Sequence, residues 1–215
     1  MVGVMSIKDR VYDFLSMQIS SGNMKRNDKI TEQYLAEQLG ISRTPVREVL
    51  FQLSADDILE HEPRKGFKFK QYTKEDVQDY YEMIGVLDAK IASLVVNNLK
   101  ESDYSLMKFY IDAMSSAIEN KLYTKYNDLQ ITFHNIYINK CENEKMIAEI
   151  HRLKKKFIGA DYSRIDEKMI TTELLKTNTE HMEILKLFKE GRANEVRDYI
   201  ENVHWSREKA LLDNW

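Results

Sequence analysis

A single cysteine, Cys141, stands among 215 residues, so no disulfide can form within the chain and a reducing, cytoplasmic location is expected. Two prolines and seven glycines are too few for a fold of many turns and short strands, which points to a mostly helical chain. No run approaches the roughly 20 apolar residues of a membrane span, and the N-terminus lacks the apolar core of a secretory signal, so no membrane partner is expected. Positive charge is not in excess either: residues 1–72 carry 11 Lys and Arg against 10 Asp and Glu, and the remainder 21 against 25. A nucleic-acid binder of this balance must gather its cations on one face, and is expected to work as two copies. What is present is 43% apolar and 31% charged residues, enough for a small domain followed by a medium one.

The segment Thr31-Glu-Gln-Tyr-Leu-Ala-Glu-Gln-Leu-Gly40-Ile-Ser42-Arg43-Thr44-Pro45-Val-Arg47-Glu-Val-Leu50 predicts a short helix, a glycine turn and a second helix. Thr31 and Ser42 are N-cap residue types, Gly40 suits a left-handed C-cap, and Pro45 falls in the first turn of the second helix. Val46, Val49, Leu50 and Leu53 make that helix's apolar stripe. Arg43 and Arg47, four apart, lie on one face at the end where a helix-turn-helix meets base edges in the major groove. The bland alternative is a helical hairpin with solvated arginines. The next segment, Ile58 to Lys70, has two short runs around Pro63-Arg64-Lys65-Gly66, with Phe67 and Phe69 alternating with Lys68 and Lys70. A hairpin with a basic tip directly after a helix-turn-helix is a wing. Arg64 and Lys65 are placed to reach a minor groove or phosphates, with Gly66 allowing close backbone approach; Lys68 and Lys70 serve equally well as edge-strand protection.

On these residues, about 6–70 of the chain resembles the winged helix of the GntR family, most specifically in the block Ser42-Arg-Thr-Pro-Val-Arg47. The resemblance implies that Ser42, Arg43, Thr44 and Arg47 form the recognition end, that the tip Arg64-Lys65-Gly66 reaches the minor groove, and that Gln33 is a second contact. The family's Pro-Gly before the first helix of the pair is here Arg26-Asn27, and a left-handed Asn27 is expected to preserve the turn.

From Thr73 the sequence becomes helix after helix: about 74–98, 102–120, 123–140, 143–161, 170–189 and 192–212, each with apolar residues at helical spacing. The expected architecture is a winged helix-turn-helix over 1–72 and an antiparallel six-helix bundle over 73–215. Phe133-His134, Glu142-Asn143, Glu180-His181 and Gly191 make the second region similar to the FCD ligand-binding domain of the FadR-type GntR subfamily. That resemblance implies a homodimer on a palindromic operator, a small-metabolite effector, and in many members a divalent metal held by one aspartate and three histidines.

Residue by residue, the aspartate position, four before His134, is Gln130, and Asp128 lies on another face. His181 matches the second histidine. The third falls at Val203, with His204 one step on and rotated by about 100°; a small adjustment at the start of the last helix would restore it. Gln130, His134, His181 and His204 are therefore either a zinc or nickel site without its carboxylate, or buried polar residues lining an effector pocket. Asp88 resembles the acidic effector-site residue of the first bundle helix, but Ile84 stands where an arginine clamp is usual. Tyr81 and Tyr137 are aromatic candidates for the same pocket, or simply core. Lys154-Lys155-Lys156 reads as a solvated helix face, and His61 as a surface residue or a phosphate contact.

Two function classes follow. The first is a DNA-binding regulator, expected to be a repressor, in which effector binding shifts the population of winged-helix arrangements that fit two half-sites. The second is a metal-dependent hydrolase using His134, His181 and His204, which leaves the winged helix unexplained and lacks a His-Glu-x-x-His spacing.

Overall fold

The computed structural model describes residues 5–157 and 166–211. It divides into two compact units between Tyr72 and Thr73, the first also taking in residues 155–157.

In the first unit α1 (Ile7–Ser20), α2 (Glu32–Leu39) and α3 (Arg43–Ala55) precede a hairpin of β1 (Leu59–Glu62) and β2 (Gly66–Phe69). Val11, Leu15, Leu35, Val46, Leu50, Leu53 and Phe69 are fully enclosed and form its core. Thr31 caps α2 by accepting from the Tyr34 N–H, and Gly40 ends the helix at φ 63°. Ser42 occupies the N-cap of α3 in extended conformation without a side-chain cap bond. The turn before α2 survives, but not through a left-handed Asn27, which is absent from the described positive-φ residues. Asp28 closes it instead: its carboxylate accepts from the Lys25 N–H at 2.7 Å while its own N–H donates to Lys25 O at 2.9 Å. A side-chain bond back to the Lys25 N–H thus takes the place of a left-handed residue.

The hairpin pairs Leu59 with Phe69, His61 with Phe67 and Glu62 with Gly66. Ile30 adds a two-bond bridge to Phe67, at 2.7 and 2.9 Å. Gly66 sits at φ +107°, and a Cβ there would stand 2.7 Å from Ile30 O, so this glycine is required by the fold itself. The tip is a turn closed by Lys65 N–H to Glu62 O, in which Arg64 takes φ 66°. Proline before that position is favourable, but the position itself favours glycine or asparagine.

The second unit holds α4 (Lys74–Val95), α5 (Glu101–Glu119), α6 (Tyr123–Ile138), α7 (Glu144–Lys154), α8 (Glu167–Lys189) and α9 (Ala193–Tyr199). Thr73 and Asp76 form a capping box at the start of α4. α4 packs on α6, α7 and α9, and α5 on α6 and α8. The fourth bundle helix ends at Lys154 rather than 161, and residues 158–161 lie outside the described residues. The last helix does not run unbroken towards 212, itself outside the described residues. After Tyr199 it becomes one π turn, Ile200–His204, closed by Trp205 N–H to Ile200 O, and then a 3-10 turn, Arg207–Leu211. Phe109, on α5, is 61% exposed. No helix among the described residues is long and apolar enough to cross a membrane.

Candidate nucleic-acid interface and candidate metal centre

The N-terminal turn of α3 presents Ser42, Arg43, Thr44 and Arg47 to solvent. Arg47 is held by Glu32 of α2, with Nε 3.2 Å from the carboxylate. Gln33 is exposed and donates to Glu37. At the wing, Arg64 and Lys65 are exposed at the tip. Lys68 lies between Glu60 and Glu62 at 3.5 and 2.8 Å, and Lys70 pairs with Asp57 at 3.2 Å, so both are engaged within the unit. His61, exposed, stacks beside Phe51 and Phe67.

In the helical unit, residues far apart in sequence meet. His134 of α6, His181 of α8 and His204 of the π turn are all buried, and each offers a ligand nitrogen within 4.8 Å of the others. Hydrogen bonds assign their protons. Tyr137 O–H donates to Asp88 Oδ1 at 2.6 Å, so its oxygen accepts from His134 Nδ1–H at 2.7 Å. Asn178 spends its N–H groups on Ile111 O and Ser115 Oγ, so its Oδ1 accepts from His181 Nδ1–H at 3.3 Å. His204 Nδ1–H donates to Glu180, 2.9 Å away, and Lys209 pairs with the other oxygen of that carboxylate. All three Nε2 atoms are thereby left with lone pairs. His181 Nε2 is buried without a hydrogen-bond partner among the described residues. His134 and His204 bring theirs to 3.2 Å, a repulsive approach unless a cation lies between them. Two nitrogens on one tetrahedral metal at about 2.1 Å stand about 3.4 Å apart. An outer acceptor on each Nδ1–H is also how metal-binding imidazoles are usually oriented. The residues present therefore fit a borderline divalent ion such as zinc or nickel.

Gln130 is half-buried, its amide donating to Asn127 at 3.4 Å. Beside Glu180, a second carboxylate reaches the site, Asp88 from α4, outside the nitrogen triad. It is fully buried, and besides Tyr137 it receives Lys154 Nζ and Trp205 Nε1, each at 3.0 Å, with His134 Nδ1 at 3.4 Å. Burial alone would raise its pKa; Lys154, His134 and Tyr137 outweigh that and hold it well below the carboxylate range. Tyr81 packs edge-on against Trp205 at 5.1 Å, and Ile84 is buried on the same face of α4. A Cβ on Gly85 would meet Trp205 Cβ at 2.9 Å, so a small residue there lets the tryptophan close over the site.

The three-lysine run is not a solvated face. Lys154 turns inward to Asp88, while in the first unit Lys155 pairs with Asp9 and the buried Lys156 donates to Asp56 O. Lys154 and Trp205 are the site residues that sequence reasoning missed. A tripeptide of identical charges gives no sign that one member points in, although an apolar neighbour such as Leu153 marks the inward face.

Burial, then the Lys154 cation, push His134 down to about 3 despite Asp88, and His181 is lowered well below the usual range by burial and by the other two histidines. Both stay neutral in the metal-free fold, yet would take protons near pH 6.5 once unfolded. Their contribution is complete above that pH and is lost as pH falls, at about 1.4 kcal/mol per pH unit for each. Melting temperature of the metal-free protein should drop from pH 7 to 5, and by visibly less in His181→Gln. An equal slope in the variant would contradict the assignment.

Comparisons with known proteins agree with these two units. Residues 7–69 match the family model described as Bacterial regulatory proteins, gntR family, and residues 79–203, more than half of the chain, match the FCD domain. The chain is 28% identical over 136 residues to an uncharacterized HTH-type transcriptional regulator, YdhC, of Bacillus subtilis. That match covers 59% of this chain but only 61% of the relative's length. It is also 23% identical over 219 residues to the gluconate operon transcriptional repressor of the same organism, covering 94% of this chain and 88% of that one. The solved structure of E. coli McbR/YncC shares the fold, with a TM-score of 0.82 at 21% identity over 97% of this chain and 98% of that one. A winged helix-turn-helix followed by a helical FCD domain, with relatives named as transcriptional regulators, places this chain in the GntR family of bacterial regulatory proteins, on its FadR-type, FCD-bearing branch.

Proposed function

We propose that the protein is a cytoplasmic, homodimeric repressor that binds a palindromic operator through α3 and the wing, and whose grip on DNA is set by a small metabolite in the helical unit. The observation that carries the DNA reading is the cluster of unburied Ser42, Arg43, Thr44 and Arg47 at one helix end, beside a wing that ends in Arg64 and Lys65. The repressor reading leans on the name of the gluconate operon relative. Selection from a random duplex pool should enrich a palindrome whose half-sites lie about one helical turn apart. No enrichment would overturn the reading.

His134, His181 and His204 would hold one zinc or nickel ion through Nε2, and the ion would supply an electrophilic anchor for an oxygen or nitrogen of the metabolite. Lys154, Tyr137 and Trp205 hold Asp88 in place behind His134, and Trp205 with Tyr81 screens the site from water. Because metabolite and operator act on one equilibrium, each changes the other's affinity by the same factor. The hydrolase alternative draws no support from the carboxylates nearest the histidines among the described residues, since Asp88 and Glu180 are both committed to hydrogen bonds.

The left-handed Arg64 gives a separate test. An arginine held where glycine is preferred costs on the order of 1–2 kcal/mol, and such strain is retained where the side chain has work to do. Arg64→Gly should raise the melting temperature of the first unit while weakening operator binding. Thermal denaturation and fluorescence anisotropy on the same samples check both halves, and unchanged binding would leave the tip without a DNA role.

A further inference from the structure

Phe51 does not behave like the other apolar residues of α3. Val46, Val49, Leu50 and Leu53 are at most 6% exposed, whereas Phe51 is 43% exposed. It follows Arg43 and Arg47 at successive four-residue steps along the helix. Its ring stands 5.0 Å from that of His61 and 5.2 Å, edge-on, from that of Phe67. His61 and Phe67 are themselves cross-strand partners, with rings 4.8 Å apart. One ring from α3, one from β1 and one from β2 thus form a triangle with sides near 5 Å, in contact geometry that aromatic groups favour.

The triangle lies where the wing needs support. A hairpin of two four-residue strands is marginal alone. On its β2 side the wing is tied through Phe67 to Ile30. β1 is anchored to α3 at its start, where the Ile58 N–H donates to Leu53 O at 2.9 Å, and towards the wing tip the Phe51 and His61 rings join it to α3 again. Arg64 stands three residues beyond His61. We propose that Phe51 and His61 are positioning residues: they lock the wing to the recognition helix, so that the wing tip and the N-terminus of α3 reach one DNA half-site together without ordering the wing on binding. In this role His61 acts as a flat ring, not as a phosphate donor.

The inference rests on the reading that Arg64 contacts DNA, and a double-mutant cycle separates the two. Affinity for the duplex selected from the random pool is measured at fixed salt for the full-length wild type, Phe51→Ala, Arg64→Ala and the double variant. Arg64→Ala is expected to cost about tenfold in the wild type, and less than about twofold once Phe51 is gone. Phe51→Trp and His61→Phe, which keep a ring, should retain both affinity and coupling, and His61→Ala should resemble Phe51→Ala. Independent, multiplying losses would overturn the positioning role while leaving the wing contact standing. No loss for Arg64→Ala in the wild type would instead remove the wing contact and this inference with it. A His61→Phe loss as large as that of His61→Ala would also overturn it, because the imidazole would then be acting through its nitrogens. If Phe51→Ala unfolds the first unit, the Phe51→Trp and His61 variants decide the question.

Discussion

Arg47→Ala is expected to lower operator affinity by about 30-fold to about twenty-thousandfold while leaving the chain folded and its oligomeric state unchanged. One bidentate base contact is worth about 1–3 kcal/mol of discrimination, and on the proposed palindrome the loss would double, because both half-sites would lose it. The folded state should tolerate the change. The side chain is 64% exposed, and its pair with Glu32 is of the surface kind that contributes little to stability. Glu32 lies across the inter-helix turn and fixes the direction of Arg47, so Glu32→Ala should cost far less than the loss of Arg47 itself. Anisotropy titration against the selected duplex, beside size-exclusion chromatography, checks both parts. Equal affinity in Arg47→Ala would sink the recognition-helix assignment.

The second large effect concerns the histidines. Protein purified without a histidine tag is expected to carry close to one zinc or nickel ion per chain, and His134→Ala to carry none. A site with dissociation constant near 1 nM, at 1 µM free metal, stabilises the fold by about 4 kcal/mol. For a protein of this length that corresponds to roughly 8–16 °C in melting temperature. Chelation should lower the wild-type melting temperature by that amount and leave His134→Ala unmoved. Elemental analysis and paired melts decide it: metal-free wild type with no response to added zinc or nickel would make the three imidazoles pocket residues only, and the search for an effector would turn to molecules that bind without a metal.

The two parts of the molecule were unequally legible in the sequence. The winged helix announces itself through local chemistry: Thr31 caps α2, Gly40 breaks it in the left-handed region, and Phe67 and Phe69 alternate with lysines across β2. Each signal depends on neighbours a few residues away, which a sequence displays. Asn27 and Asp28 offer two different devices for closing the same turn, and only geometry tells which is used. In the bundle, helical periodicity places the helices but not the partners of their polar residues. Asp88 is legible as an acid on the first bundle helix. Its encirclement by Tyr137, Lys154 and Trp205 is not, since these lie 49, 66 and 117 residues away. Lys154 stands beside neighbours of its own charge, which suggests a solvated face, yet helical phase and the acid across from it turn it inward.

The π turn at Ile200–His204 carries a consequence for how such chains are compared. By counting residues from Gly191, the third imidazole arrives one position late. The wider turn absorbs that extra residue and returns His204 to the company of His134 and His181. A column-by-column alignment would score Val203 at the ligand position and record the histidine as lost. Spatial equivalence and alphabetical equivalence have parted here by one letter. Surveys that sort relatives by a fixed spacing would count two histidines in this chain where the fold gathers three.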